Sequence, residues 1–160
     1  MTVFRCYTEK RPGFDTEARA LCDRLRNEEG VARLTRVRIL CRYDVEGIDA
    51  QTYALARAGV FSEPACDMVY DETLPDAVGA RLLAVESLPG QFDMRADSCA
   101  QCIALMTRLD RPLVRTAAVY LLYGDLTDED MAAVRAALIN PVETREASRI
   151  KPQTLETDYP

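Results

Sequence analysis

Two stretches of this chain echo each other, and an internal repeat limits the possible folds more than any single motif does. Pro12-Gly13-Phe14-Asp15 opens one amphipathic segment and Pro89-Gly90-Gln91-Phe92-Asp93 opens another. The apolar positions Ala18, Leu21, Cys22 and Leu25 follow the i, i+3, i+4, i+7 spacing of a helix, and Ala96, Cys99, Ala100 and Ile103 repeat it 78 residues later. Tyr53, Ala56 and Val60 return as Met131, Val134 and Leu138, again displaced by 78. The alternating run Val37, Ile39, Cys41, Tyr43 matches Ala117, Val119, Leu121, Tyr123 at a displacement of 80. We read a tandem duplication of one unit of roughly 75 residues. The expected architecture is two similar halves facing each other across an approximate two-fold axis, with Ile39 and Val119 buried where their sheets pack.

A unit of that size buries too little surface to be stable alone, so two copies in 160 residues are expected to share a core. The 20 basic and 26 acidic residues give a net charge of −6, and no basic stripe stands out, which argues against nucleic acid as a partner. No run of about 18 apolar residues and no signal-like N-terminus is present, so the chain reads as cytoplasmic with no membrane partner. It has no histidine. Ser-His-Asp and Cys-His nucleophilic sites are therefore excluded, and no catalytic residue is assigned. Six cysteines without a secretion signal read as reduced thiols. Cys99-Ala100-Gln101-Cys102 spells a CxxC, but well inside a helix, and a metal site would need further ligands with suitable spacing. Cysteine used as a small apolar residue is the expectation, and no metal or cofactor is assigned to this chain.

Each half reads β-α-β-α-β. Val3 to Glu9 is a strand, and Asp15 is the expected N-cap of a helix ending near Asn27. Arg36 to Tyr43 is a strand with one wet face carrying Arg36, Arg38 and Arg42, with Leu40 as the exception. Asp49 caps a helix to about Val60, and Pro64 precedes an edge strand through Met68, Val69 and Tyr70. The second half follows with a strand from Leu82 to Glu86, a helix from Phe92 to about Leu109 and a strand from Val114 to Tyr123. Thr127 then caps a helix, with acids in its first turn, that stops before Pro141. The fold class is α+β, a tandem ferredoxin-like unit with helices packed on antiparallel sheets. The expected bounds are 1–147 for a single duplicated domain, with half one at 1–72, half two at 80–147 and a linker at 73–79. Residues 148–160 are expected to begin a linker to further domains.

The stretch from Leu88 to Ile103, LPGQFDMRADSCAQCI, resembles the N-terminal domain of the large, single-chain phosphoribosylformylglycinamidine synthases. Arg42 to Gly47 (RYDVEG), Val60 to Pro64 (VFSEP) and Ile139 to Ser148 (INPVETREAS) fit the same family in the same order. Leu138 to Glu143 also resembles the end of the small separate subunit of multi-chain synthases, which implies that this domain imitates a dimer of that subunit. The parent reaction implied is the ATP- and glutamine-dependent amidation of formylglycinamide ribonucleotide in purine synthesis. ATP and magnesium would belong to the parent's synthetase domain and the Cys-His-Glu site to its glutaminase. The resemblance thus implies a non-catalytic piece of a longer polypeptide, whose partners are the linker, synthetase and glutaminase domains of the same synthase.

Candidate interface residues are Asn140, Glu143 and Arg145, which leave a helix into a charged segment, and Gln91 and Arg95 at the start of the second half's long helix. The opposing reading makes Asn140-Pro141 ordinary turn chemistry. Two other function classes are kept: a free-standing small-molecule-binding regulator with an effector held between the halves, and a thiol-redox module on Cys99 and Cys102.

Overall fold

The computed structural model describes residues 2–75 and 77–156. Its elements run β1 (Val3–Lys10), α1 (Thr16–Asn27), β2 (Leu34–Glu46), α2 (Ala50–Gly59), β3 (Asp67–Asp71), β4 (Ala80–Ser87), α3 (Met94–Thr107), β5 (Leu113–Gly124), α4 (Asp128–Leu138) and β6 (Thr144–Glu146). The strands form one antiparallel sheet in the order β3-β1-β2-β5-β4-β6, compatible with a ferredoxin-like type of fold. The expected face-to-face packing of two sheets is not what forms. The halves lie side by side, because β2 and β5 are long and pair along almost their whole length. That pairing satisfies backbone groups that would otherwise form two exposed edges.

The strand displacement of 80 is corrected by the pairing. Ile39 pairs with Tyr120 and Leu40 with Val119, so Ile39 and Val119 point to opposite faces of the sheet. Val119 is buried while Ile39 is half-buried. An offset of 77 keeps the faces. It carries the pair Val3–Glu46 to Ala80–Tyr123, Cys6–Tyr43 to Leu83–Tyr120, and Thr8–Cys41 to Val85–Ala118. At the edges it carries Thr8–Val69 to Val85–Glu146 and Glu9–Met68 to Glu86–Arg145. The offset of 78 stands beside it in the first helix pair because Gln91 is one residue extra between Gly90 and Phe92, and in the second because Asp125-Leu126 separate Gly124 from Thr127 where Ile48 alone separates Gly47 from Asp49. A side-chain period of two makes such a one-residue slip reverse every facing, which is why the strand match misled.

Two of the three expected helix caps form, and Asp93 caps the remaining helix. The Asp49 and Asp93 carboxylates accept N–H from Thr52 and Ala96, and Thr127 with Asp130 forms a capping box. Asp15 is the exception. Its side chain makes no cap bond and instead accepts N–H from Gly13 while facing Arg19.

All four helices cover one face, and they cross between halves. Leu25 of α1 packs with Val37 but also with Leu83, Val85 and Leu122 of the second half and with Met131 and Val134 of α4. Cys99 and Ile103 of α3 pack with Cys6, Tyr43, Val45, Ala56 and Phe61 of the first half. The two halves share their cores, which removes the size problem each would have alone.

The other sheet face carries no helix, yet it is not the wet face expected of β2. Leu40 is fully buried there, and Arg42, Asp44 and Glu46 are buried beside it. Leu74 and Ala77, from the segment joining the halves, pack against Tyr7, Leu40, Val119 and Leu121. Part of that joining segment, Asp76, lies outside the described residues, as do residues 157–160 of the expected C-terminal linker. The preceding residues, 148–156, lie across this same face.

Candidate functional site

The helix-free face holds a ladder of buried charge. Antiparallel pairing sets Arg5 beside Asp44, and Asp44 in turn beside Arg115. The Arg5 guanidinium grips Asp44 through Nε and one Nη at 2.7 and 2.8 Å, with both side chains buried. That two-pronged bond is the strong geometry for arginine and carboxylate. Burial lowers the Arg5 pKa, and the hydrogen bonds and charge of Asp44 outweigh it, leaving the group above its ordinary value.

The C-terminal segment straps this ladder. The carbonyl oxygens of Ser148, Arg149 and Leu155 accept from Arg42 (2.7 Å), Arg5 (3.0 Å) and Arg115 (2.7 Å). Glu46 accepts the Leu155 N–H and the Thr154 hydroxyl, bonds that hold its carboxyl below the usual range. Lys151 pairs with Glu72 at 2.7 Å, and Leu155 is buried. The strap thus contributes backbone acceptors to guanidinium groups that the sheet alone leaves under-satisfied.

Between strap and sheet lies a hollow of about 390 Å³ bordered by Arg42, Glu86, Gln91, Arg115, Arg145 and Ser148. Arg42 is 6% exposed, and its one side-chain hydrogen bond among the described residues is the one to Ser148. Its pKa is lowered, first by burial and next by the like charge of Arg5. Sequence reading treated Arg42 as a solvated residue and passed over Arg5, Asp44 and Glu46. The overlooked signal was Leu40, an apolar residue in the middle of a face otherwise read as wet, which marks that face as covered.

The sequence-predicted interface residues separate. Gln91 and Arg145 border the hollow, whereas Arg95 lies on the helical face with its guanidinium 3.4 Å from the Tyr43 hydroxyl. Arg145 bonds Glu86 at 2.8 Å across the β4–β6 pair. Asn140 builds the turn between α4 and β6: its side-chain oxygen accepts N–H from Val142 and its carbonyl accepts from Glu143 and Thr144. Glu143 is exposed, and its carbonyl ties the turn to Leu88 N–H at 2.9 Å. The α3 N-terminus holds the Asp93 carboxylate, which also accepts from Thr116.

A second hollow, of about 480 Å³, opens on the helical face. It is bordered by Glu17 of α1, Ile39, Cys41 and Tyr43 of β2, Arg95 of α3 and Tyr120 of β5. All six cysteines are free thiols. Burial pushes the Cys99 thiol up to about 11, while Cys102 is exposed. Among the described residues no cluster of metal-ligating side chains occurs, and no helix is long and apolar enough to cross a membrane. No protein-family model matches the chain. No curated protein matches its sequence either.

Proposed function

We propose that the chain is a non-catalytic, architectural N-terminal domain of a single-chain phosphoribosylformylglycinamidine synthase, acting in the cytoplasm. The observation that carries the reading is the pairing pattern: every β1–β2 partner from Val3–Glu46 to Thr8–Cys41 reappears in β4–β5 at an offset of 77. Two copies of one β-α-β-α-β unit, fused and exchanging helices across a common sheet, account for that pattern. Such a fusion is what the resemblance implies, a covalent imitation of a subunit dimer. The parent reaction consumes formylglycinamide ribonucleotide, ATP and glutamine and yields the amidine, ADP, phosphate and glutamate. This chain's part in it is to pack on the linker, synthetase and glutaminase domains.

The test is reconstitution. The remainder of a synthase, expressed separately, is titrated with this domain while ADP formation is followed with the ribonucleotide substrate and glutamine. Saturable recovery of turnover is expected, with no ammonia release from glutamine by the domain alone. Absence of both binding and recovery overturns the assignment.

One observation favours the second reading, a small-molecule regulator. The 480 Å³ hollow is bordered by β2 of the first half and by α3 and β5 of the second, as an effector held between halves would require. Ligand-dependent thermal stabilisation of the isolated domain, without effect on synthase reconstitution, would select it.

A further inference from the structure

A guanidinium removed from water is normally compensated by a carboxylate, because its desolvation costs several kcal/mol. Around the 390 Å³ hollow every carboxylate already has a partner. Asp44 holds Arg5, Glu86 holds Arg145, Glu146 holds Arg135, and Asp93 caps α3 while accepting from Thr116. Arg42, nine-tenths buried, is the group left over. No carboxylate among the described residues lies within ion-pair distance of it, and one Nη is bonded to the Ser148 carbonyl. No buried side-chain nitrogen among the described residues lacks a hydrogen-bond partner, so the N–H groups of Arg42 that make no bond keep some exposure, and Arg42 borders the hollow. A backbone carbonyl neutralises no charge, and Arg5 opposes the charge of Arg42 while Asp44 and Glu86 favour it only from beyond ion-pair distance.

We propose that this hollow is a binding site for a phosphate group carried on a small molecule, held by Arg42 and closed over by the strap. Residues with donor groups border it from three parts of the chain: Arg42, Ser87 and Arg115 from the sheet, Gln91 from the segment leading to α3, and Ser148 from the strap. Approach from several directions fits a tetrahedral oxyanion, whereas a planar carboxylate would use one guanidinium edge. The volume exceeds that of phosphate alone and leaves room for an ester substituent. Because Ser148, Ile150 and Pro152 border the hollow, an occupant is trapped between strap and sheet, and binding should protect the strap. This inference stands apart from the synthase assignment, since it needs only the isolated domain.

The experiment titrates the domain with inorganic phosphate and with β-glycerophosphate, against sodium acetate at matched ionic strength. Backbone amide NMR shifts and tryptic cleavage after Arg149 are the two readouts. Saturable shifts centred on Arg42, Arg115 and Ser148 are expected with both phosphates, together with at least threefold slower cleavage. Arg42→Gln should weaken binding tenfold or more and Arg42→Lys should restore part of it. Should Arg42→Gln fail to fold, Gln91→Ala, at an exposed position, should still weaken binding about threefold. Shifts that do not saturate, that centre elsewhere, that appear equally with acetate, or that persist unchanged in these variants overturn the proposal.

Discussion

Ile103 belongs to the second half by sequence and to the first half's core by packing, so removing its side chain tests whether the chain has one core or two. It is fully buried against Cys6, Tyr43, Val45, Ala56 and Phe61. Ile103→Ala deletes three carbon groups, a transfer loss of about 2.4 kcal/mol at ~0.8 kcal/mol each. The cavity left among aromatic and β-branched neighbours raises this toward about 3–4 kcal/mol, within the range of such truncations. A chain of this length has on the order of 8–15 kcal/mol to lose, so the variant should remain folded and measurable. Urea unfolding should show one transition, shifted by that amount. Native-state hydrogen exchange should lose protection in β1 and β2 as much as in β5. Loss confined to α3 and β5, with β1 and β2 unchanged, would refute the shared core.

Three further outcomes follow from the same geometry. Asp44→Ala leaves the buried Arg5 guanidinium without its carboxylate and should cost about 3–5 kcal/mol in urea unfolding, much of it recovered when Arg5 becomes Met in the same chain. Gly124 sits at φ +136°, where an added Cβ would lie 2.3 Å from the Arg33 carbonyl oxygen; Gly124→Ala should therefore lose at least about 1–3 kcal/mol, a fall of several degrees in melting temperature. Burial raises the thiols of Cys6 to about 12 and Cys99 to about 11 from an ordinary 9.0, so their contribution is fully present below pH 9 and is lost as pH rises from 9 through those values. Unfolding free energy measured from pH 8 to 11 should fall with a slope of up to about 1.4 kcal/mol per unit for each thiol, and Cys6→Ser should flatten it.

Much of the fold was legible because local chemistry and hydrophobic period agree. The helix offset of 78, the capping residues Asp49 and Thr127, and the edge strand at Met68 to Tyr70 all stand where the sequence pattern places them. The strand register was not legible, since β5 is apolar on both faces and its alternation gives no phase: Val119 and Tyr120 are equally credible as core. Strand order in space was equally out of reach, because nothing local distinguishes two sheets stacked from two sheets joined through β2 and β5. The candidate site was the least legible part. Its charged residues lie on one strand face that reads as solvent-facing, and its cover comes from residues 148–155, more than a hundred positions away in sequence from Arg42 and Glu46.

The offset of 77 also marks where the two halves differ. On the helix-free face it equates Arg5 with Leu82, Arg42 with Val119, Asp44 with Leu121 and Glu46 with Tyr123. One half carries four buried charged groups where the other carries apolar or aromatic residues, on the same strands in the same pairing. The second half demonstrates that this backbone closes over Leu, Val and Leu at these positions, so the scaffold itself does not require the charges. Buried ion pairs are seldom more stabilising than apolar residues of similar size, and Arg42, with no ion-pair partner among the described residues, is worse than either. Stability therefore gives no account of the difference between the halves. A ligand or partner that meets these charges does, and the strap, which bonds Arg5, Arg42 and Glu46 of that half, lies where that contact would be made.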